Sequence, residues 1–356
     1  YALISNIAAG VGTKLPKAGD LCRELSISRR TLDFALGELE RDGIIERKHA
    51  VGIFVARRPV IDSHLLLLFH PDFFLASGHA PFWRLLIEAA RERAAQCEGT
   101  FDIHFCRADG GNSSLSPQLR SEILSGEVAG VIGVGLREDL AYFLEENVPF
   151  VSLAGWSNHI VGFDDASFMR QAVGQLAARG CEKIGLLSGV MPHRVFDSRA
   201  SVDTSPRDQF KVALRDLGLG FREEWNINHF ELVPENGGAV EKSLQEQGFG
   251  AAQQLFVRAP REKWPQGVVI YDELLTQGFW SALSKAGISD DVGREIHLIS
   301  HANAGSPALL ECQERLDRLV YEPQELVSLL FEALEALIAG QNIASLLEAQ
   351  PKLFER

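Results

Sequence analysis

From residue 65 onward, short apolar runs alternate with longer amphipathic stretches, and that alternation restricts the fold more than any other feature of the chain. Strand-length runs fall at 65–69, 101–105, 130–134 and 150–153, and again at 183–188, 227–232, 267–271 and 296–300. Between them lie stretches with helical length and spacing at 82–96, 138–146, 168–179, 207–217 and 274–286. Continuously apolar strands are those buried on both faces, so the pattern predicts parallel sheets flanked by helices, a doubly wound α/β architecture. The strands exceed what one sheet conveniently holds, which predicts two lobes. Ligands of such sheets sit at the carboxyl ends of the strands, and two lobes turn those ends toward a shared cleft.

The formal net charge of -13 would by itself argue against nucleic acid. Its distribution says otherwise. Residues 1–58 hold ten Lys/Arg against seven Asp/Glu, a net of +3, which leaves -16 for the remainder. A basic head on an acidic body directs one face at phosphate while the rest repels it. Five cysteines (Cys22, Cys97, Cys106, Cys181, Cys312) are odd in number and lack C-x-x-C spacing, which fits reduced thiols in a cytoplasm better than disulfides or zinc. No apolar run approaches the roughly 18 residues of a membrane span. Residues 65–69 are too few and too internal for an anchor or a signal peptide. The chain opens on Tyr1 rather than Met, which suggests that a few residues precede it.

Within the head, residues 3–9 read as the end of a helix stopped by Gly10 and Gly12. Leu15-Pro16 lead into a short helix over about 18–25, Ser26-Ile27 turn, and Ser28 caps a helix running to about 42. Leu32, Ala35, Leu36 and Leu39 share one face of it, and Gly43 stops it. Residues 44–47 and 52–55 read as two short strands joined by 48–51. Arg29-Arg30 stand directly after the cap, where a cation opposes the helix dipole by about 0.3–1 kcal/mol. The pair becomes favourable if phosphates or guanine edges lie before that helix end; a solvated positive terminus is the alternative.

The order helix, L-P, helix, S-R-x-T-L helix, D-G-I-I strand and a wing with G-x-F-V resembles the GntR-type winged helix-turn-helix over about residues 1–57. The resemblance implies that Ser28, Arg29, Arg30 and Thr31 enter the major groove of operator double-stranded DNA. It also implies that His49 reaches the minor groove or backbone from the wing, and that Lys14 and Lys48 contact phosphates. The chain departs from the family at Gly19, where an arginine is usual, and at Asp33, where a basic residue often stands. Both departures weaken phosphate binding or change the bases read.

The body resembles the effector domain of LacI/GalR-type regulators, itself similar to periplasmic sugar-binding proteins (the periplasmic-binding-protein-like type I fold). The likeness rests on VPFVSLAGWSNHIVGFDDASFMRQAVGQLAARGCEKIGLLSG, RDQFKVALRDLGL, GVVIYDELLTQGFWSALSKAGI, LVYEPQELVSLLFEALEALIAG and the closing PKLFER. It implies a linker at 58–63 and an effector domain at 64–356, with lobe 1 at about 64–157 and 298–340 and lobe 2 at about 158–297 and 341–356. The chain then crosses between lobes near 156–160, 297–301 and 340. Pro59 in the linker argues for an extended connector rather than a hinge helix.

The same likeness assigns ligand contacts to Arg207 and Asp272, since a guanidinium and a carboxylate each offer two parallel groups to vicinal hydroxyls. Surface charges at helix starts are the alternative. Phe74 and Trp83, from the aromatic loop 70–83, and Trp156 at the first crossing are candidates to stack on a sugar. Asp164 and His301 lie where the lobes meet, as a ligand contact or as hinge hydrogen-bonders, whereas Trp280 reads as core. The long polar loop at 190–206 can close over a ligand or serve no such role.

The sequence has no G-x-x-x-x-G-K-[ST], H-E-x-x-H or G-x-S-x-G, and its ten histidines are dispersed. Gly133-Val134-Gly135 is a lone G-x-G. The expectation is therefore not an enzyme. It is a cytoplasmic, homodimeric, ligand-responsive transcription regulator without cofactor or metal, a repressor of carbohydrate-use genes whose partners are operator DNA and a carbohydrate effector. The alternative is a sugar-binding module, or a regulator whose ligand site is vestigial.

Overall fold

The computed structural model describes residues 14–24, 27–41, 45–48, 51–55, 64–71, 81–97, 99–109, 112–153, 155–189, 205–228 and 242–356. In the head, α1 (Ala18–Glu24) and α2 (Arg29–Arg41) precede an antiparallel pair, β1 (Ile45–Lys48) and β2 (Gly52–Val55), in register Ile45↔Val55. Leu15, Leu21, Leu32, Leu36 and Ile45 form its buried core, with Ile27, Leu39 and Ile53 packed around it. The amide of Leu15 donates to the Ile53 carbonyl at 2.8 Å, which ties the entering chain to the wing. Ser28 caps α2 as expected, its hydroxyl accepting from the Thr31 amide at 3.1 Å.

The body opens with β3 (His64–Phe69), α3 (Pro81–Ala94), β4 (Phe101–Phe105), the hairpin β5 (Arg107–Asp109) and β6 (Asn112–Ser114), α4 (Pro117–Ser125), β7 (Val128–Val134), α5 (Glu138–Asn147), β8 (Phe150–Leu153) and β9 (Ile160–Phe163). It continues through α6 (Asp165–Ala178), β10 (Ile184–Ser188), α7 (Pro206–Asp216), β11 (Asn226–Asn228), α8 (Leu244–Ala252), β12 (Gly267–Ile270), α9 (Glu273–Lys285), β13 (His297–Asn303) and β14 (Asp317–Tyr321). It closes with α10 (Pro323–Ile338), β15 (Leu346–Ala349) and β16 (Lys352–Phe354).

Two six-stranded sheets result. The first, in the order β15-β9-β8-β7-β3-β4, is parallel throughout. The second, β11-β10-β12-β13-β14-β16, is parallel except for its closing β14/β16 pair. Their strands are apolar on both faces because helices cover both, as the continuous burial of β8, β10 and β12 shows. One apolar cluster runs from Leu67 and Phe69 of the first lobe through Phe168 and Val173 of α6 to Ile299 and Tyr321 of the second. The lobes thus share a core at their junction, and each such side chain contributes about 1.5–3 kcal/mol through burial.

The sheets correct the expected crossings. Residues 160–163 form β9, hydrogen-bonded between β8 and β15, so the first passage to lobe 2 comes after Phe163 and not at 156–160. β13 and β14 pair in register Ile299↔Asp317 inside the second sheet, so 298–321 belongs to lobe 2 and the chain returns only at Glu322-Pro323. β15 pairs with β9, so the last crossing lies between Ala349 and Lys352 rather than near 340. In each case ladder pairing holds a short strand in its sheet until a polar residue (Asp164, Glu322 or Gln350) ends the run.

Candidate functional site

On the head, the first turn of α2 places Ser28, Arg29, Arg30 and Thr31 in solvent, on the end where helix amides point outward. Arg29 does not stand free: its Nε lies 3.1 Å from both carboxylate oxygens of Asp33, one turn on. That pairing neutralises one of the two cations and explains how Asp33 is tolerated on this surface. Arg30 pairs with no carboxylate among the described residues. Lys14 is exposed beside the wing, bridged to Phe54. Lys48 lies 3.5 Å from Glu46 and 5.2 Å from the centre of the Phe54 ring, a weak exposed pair that phosphate can displace. His49 lies outside the described residues.

Between the lobes, the carboxyl ends of β9, β12, β13 and β14 converge. His301 of β13, 9% exposed, is ringed by Phe163 (5.6 Å between centroids), Phe168 (6.1 Å), Tyr271 (5.9 Å) and Tyr321 (5.2 Å). Burial drives its pKa down to about 4, so it is neutral at pH 7. Tyr271 donates its hydroxyl to Asp165 at the start of α6, and burial pushes that carboxyl up to about 6. Phe82 of α3 reaches the same junction, 5.9 Å from Phe163.

Asp272 follows β12 and caps α9. Both helix amides, Leu274 at 2.6 Å and Leu275 at 3.1 Å, donate to the same oxygen, Oδ1, and neither engages Oδ2. Its burial raises the pKa to about 6 against the lowering effect of those two amides. Next to it, buried Glu273 accepts from the Asn303 amide at 3.1 Å and the Ser306 hydroxyl at 2.9 Å. Desolvation first, and then Asp272, push it to about 7.

The remaining sequence candidates scatter. Arg207, in the first turn of α7, pairs with Glu223 and lies 5.5 Å from the Phe221 ring centre, on the approach to β11. Trp83 is 5% exposed and packs edge-on against Phe69 at 6.2 Å, a core residue rather than a stacking platform. Trp156 is half-buried on lobe 1, 5.9 Å from Tyr142 and away from the new crossing point. Phe74 lies outside the described residues, as do 190–204 of the polar loop. The sequence missed Asp165, Tyr271 and Tyr321; the doublet Asp164-Asp165 after an apolar run was the available signal for the first.

Among the described residues no helix is long and apolar enough to cross a membrane, and no group of His, Cys, Asp and Glu is arranged to hold a metal ion.

Residues 2–55 match the model of the bacterial regulatory proteins of the gntR family. A probable fructoselysine utilization operon transcriptional repressor of Escherichia coli strain K12 is 29% identical over 114 residues, 30% of this chain and 47% of that protein. The chain thus spans about half the length of the curated relatives it matches. Among solved structures, the complex of the transcriptional regulator CelR with cellobiose superposes with a TM-score of 0.60 at 16% identity, covering 96% of this chain and 99% of that one. The transcription regulator CcpA of Lactococcus lactis gives 0.58 at 16% identity, over 83% and 98%. The chain therefore joins a head that matches the gntR family model to a two-lobed body with the fold seen in solved transcription regulators such as CcpA and CelR.

Proposed function

We propose that this chain is a one-component transcription regulator, a repressor of carbohydrate-use genes whose head holds operator DNA and whose inter-lobe cleft senses a sugar or sugar derivative. The observation that carries the reading is the union of the two parts: a gntR-matched head on a body whose strand ends converge between lobes. The similar proteins, a probable fructoselysine utilization operon transcriptional repressor and the regulator CelR in complex with cellobiose, support the same class of effector. The protein works without catalysis, in the cytoplasm, as a homodimer. One small helix in one groove gives little specificity, and paired half-sites multiply it.

In the cleft, Asp272 presents Oδ2 to a ligand hydroxyl while the amides of α9 hold Oδ1, so the carboxylate is oriented before the ligand arrives. The rings of Phe82 and Phe163 offer apolar faces, whereas Arg207 is engaged by Glu223 on the approach to β11. Closure of the lobes changes the body; control of the head requires only that ligand bind the DNA-competent and incompetent forms with different affinity. On the head, Lys14, Ser28, Arg30, Thr31 and Lys48, with His49, meet the duplex.

Two measurements on the full chain test this. A thermal-shift panel of neutral mono- and disaccharides should yield at least one saturable stabilisation. A fluorescent random duplex should be released steeply as salt rises, since each phosphate neutralised contributes about 0.9 to the logarithmic slope. Binding that ignores salt, with no sugar response, would defeat the reading.

A further inference from the structure

Phe34 lies in the middle of α2 and is 72% exposed, above every other large apolar residue among those described. A helix turns about 100° per residue, so Phe34 sits about 160° around from each of the buried Leu32 and Leu36. It therefore points straight away from the head's core. The same outward face carries Arg30, one turn before it, and Gly37, three residues after it. A Cβ at Gly37 would meet nothing within 4 Å. Glycine inside a helix costs about 1 kcal/mol relative to alanine, and here it leaves a smooth place beside the ring where another surface can approach.

We infer that Phe34 reads the operator directly, its ring seated on the C5-methyl group of a thymine in the major groove. This rests on the DNA-reading role proposed for the head, and deepens it by naming a base-contacting residue. A phenyl ring has no donor or acceptor for base edges, and the thymine methyl is the one apolar feature the major groove displays. Arg30 supplies the adjoining charge for phosphate or guanine. Arg29, drawn sideways onto Asp33, does not compete for the centre of the face. The specificity of this head is then split between one cation and one ring, which suits A·T-containing half-sites.

The test begins with duplexes selected by the full chain from a randomised pool. In a selected duplex each dT is replaced in turn by dU, which removes only the methyl group. At one position per half-site the wild type should bind the dU duplex about fourfold more weakly. Phe34→Ala should bind the parent duplex more weakly by a similar factor and no longer distinguish dT from dU, with its far-UV spectrum and melting temperature unchanged. Phe34→Leu should keep part of the discrimination. Full dT/dU discrimination in Phe34→Ala, or none in the wild type, overturns the inference. So does an effect of Phe34→Ala on sedimentation with base selectivity intact, which would make the ring a protein contact. If the wild type enriches no sequence at all, the DNA-reading role itself falls, and the two failures are told apart.

Discussion

Gln350 donates its side-chain amide to the Asp164 carboxylate at 2.9 Å, joining the third passage between the lobes to the first. Asp164 is the common post for all three. Its other carboxylate oxygen accepts the Ser167 amide at 2.7 Å, its own amide donates to the Ala349 carbonyl at 3.0 Å, and its carbonyl accepts from the Tyr321 hydroxyl at 3.2 Å. A hinge whose strands are fastened to one another moves as a unit, which favours rotation of whole lobes over independent flexing of each crossing.

Replacing that post should be felt in proportion to its bonds. Asp164→Ala removes the cap of α6 together with the Gln350 contact, and should cost about 1–2 kcal/mol of stability in urea unfolding. Gln350→Ala, which removes a single exposed hydrogen bond, should cost less than about 1 kcal/mol. A larger loss in Gln350→Ala would contradict the central position given to Asp164.

A second device locks lobe 2. Arg179, at the end of α6, holds Asp317 of β14 through two bonds, Nε at 2.7 Å and Nη2 at 2.8 Å, and the Asp317 side chain is only 2% exposed. The amide of Arg356 donates to the same carboxylate at 3.1 Å, which fastens the chain's last strand. Arg179→Ala strands a buried carboxylate and should destabilise the protein by about 3–5 kcal/mol. Arg179→Lys should recover only part of that, because an ammonium cannot reproduce the planar fork. Equal stability of Arg179→Ala and wild type in chemical denaturation would show the pair to be idle.

The head and the lobes differ in how far they were legible from sequence. α2 announced itself because all its signals are local: Ser28 at the cap, Leu32 and Leu36 at helical spacing, Gly43 beyond its end. The alternation of the body likewise predicted parallel sheets, since burial on both faces writes itself into each strand. The crossings were not legible. Residues 160–163 are only four long, and what keeps them in lobe 1 is pairing with β15, nearly two hundred residues later. The same holds within the cleft. Asp272 could be proposed from its place after β12, but the Tyr271–Asp165 contact joins residues 106 apart and exists only because α6 packs on the sheet beside β12. Trp83 misled because an aromatic in a loop-to-helix segment looks alike whether it faces a ligand or, as here, Phe69.

The acidic residues after β12 give stability an unusual dependence on pH. Glu273 rises from 4.5 to about 7 in the folded state, chiefly through burial. Its folded pKa is raised, so its contribution is fully present below pH 4.5 and is lost as pH climbs through about 7, on the order of 2–3 kcal/mol. Asp165 and Asp272, each raised to about 6, act in the same sense. His301, lowered from 6.5 to about 4, acts in the opposite one: its contribution is present above pH 6.5 and lost as pH falls through 4. Glu273→Gln should therefore flatten the fall in stability between pH 4.5 and 7 in urea titrations. An unchanged slope would mean that Glu273 is ionised throughout.

Asp272 offers a clean separation of structure from recognition. Asn is as good a helix cap as Asp and carries no buried charge, so at neutral pH Asp272→Asn should be at least as stable as the wild type while removing the negative charge offered to a ligand. Asp272→Ala should lose the cap as well, about 1 kcal/mol. With any sugar that stabilises the wild type, both variants should show at least a tenfold weaker response, since a charge-assisted bond contributes about 1.5–3 kcal/mol. A full response in Asp272→Asn would confine this carboxylate to capping α9.

The two arginines of α2 should be unequal, because one is already engaged. Arg29 is held by Asp33 through both carboxylate oxygens, whereas Arg30 meets no carboxylate among the described residues. Arg30→Ala should therefore weaken duplex binding about tenfold or more, and Arg29→Ala severalfold less. The informative variant is Asp33→Ala. It removes a negative charge from the groove-facing end and frees Arg29, so affinity should rise rather than fall, and the logarithmic salt slope should steepen by about 0.9 if the released guanidinium takes up one phosphate. Fluorescence anisotropy on one duplex at several salt concentrations reads both quantities. Weaker binding by Asp33→Ala would mean that the carboxylate orients Arg29 for contact instead of withholding it.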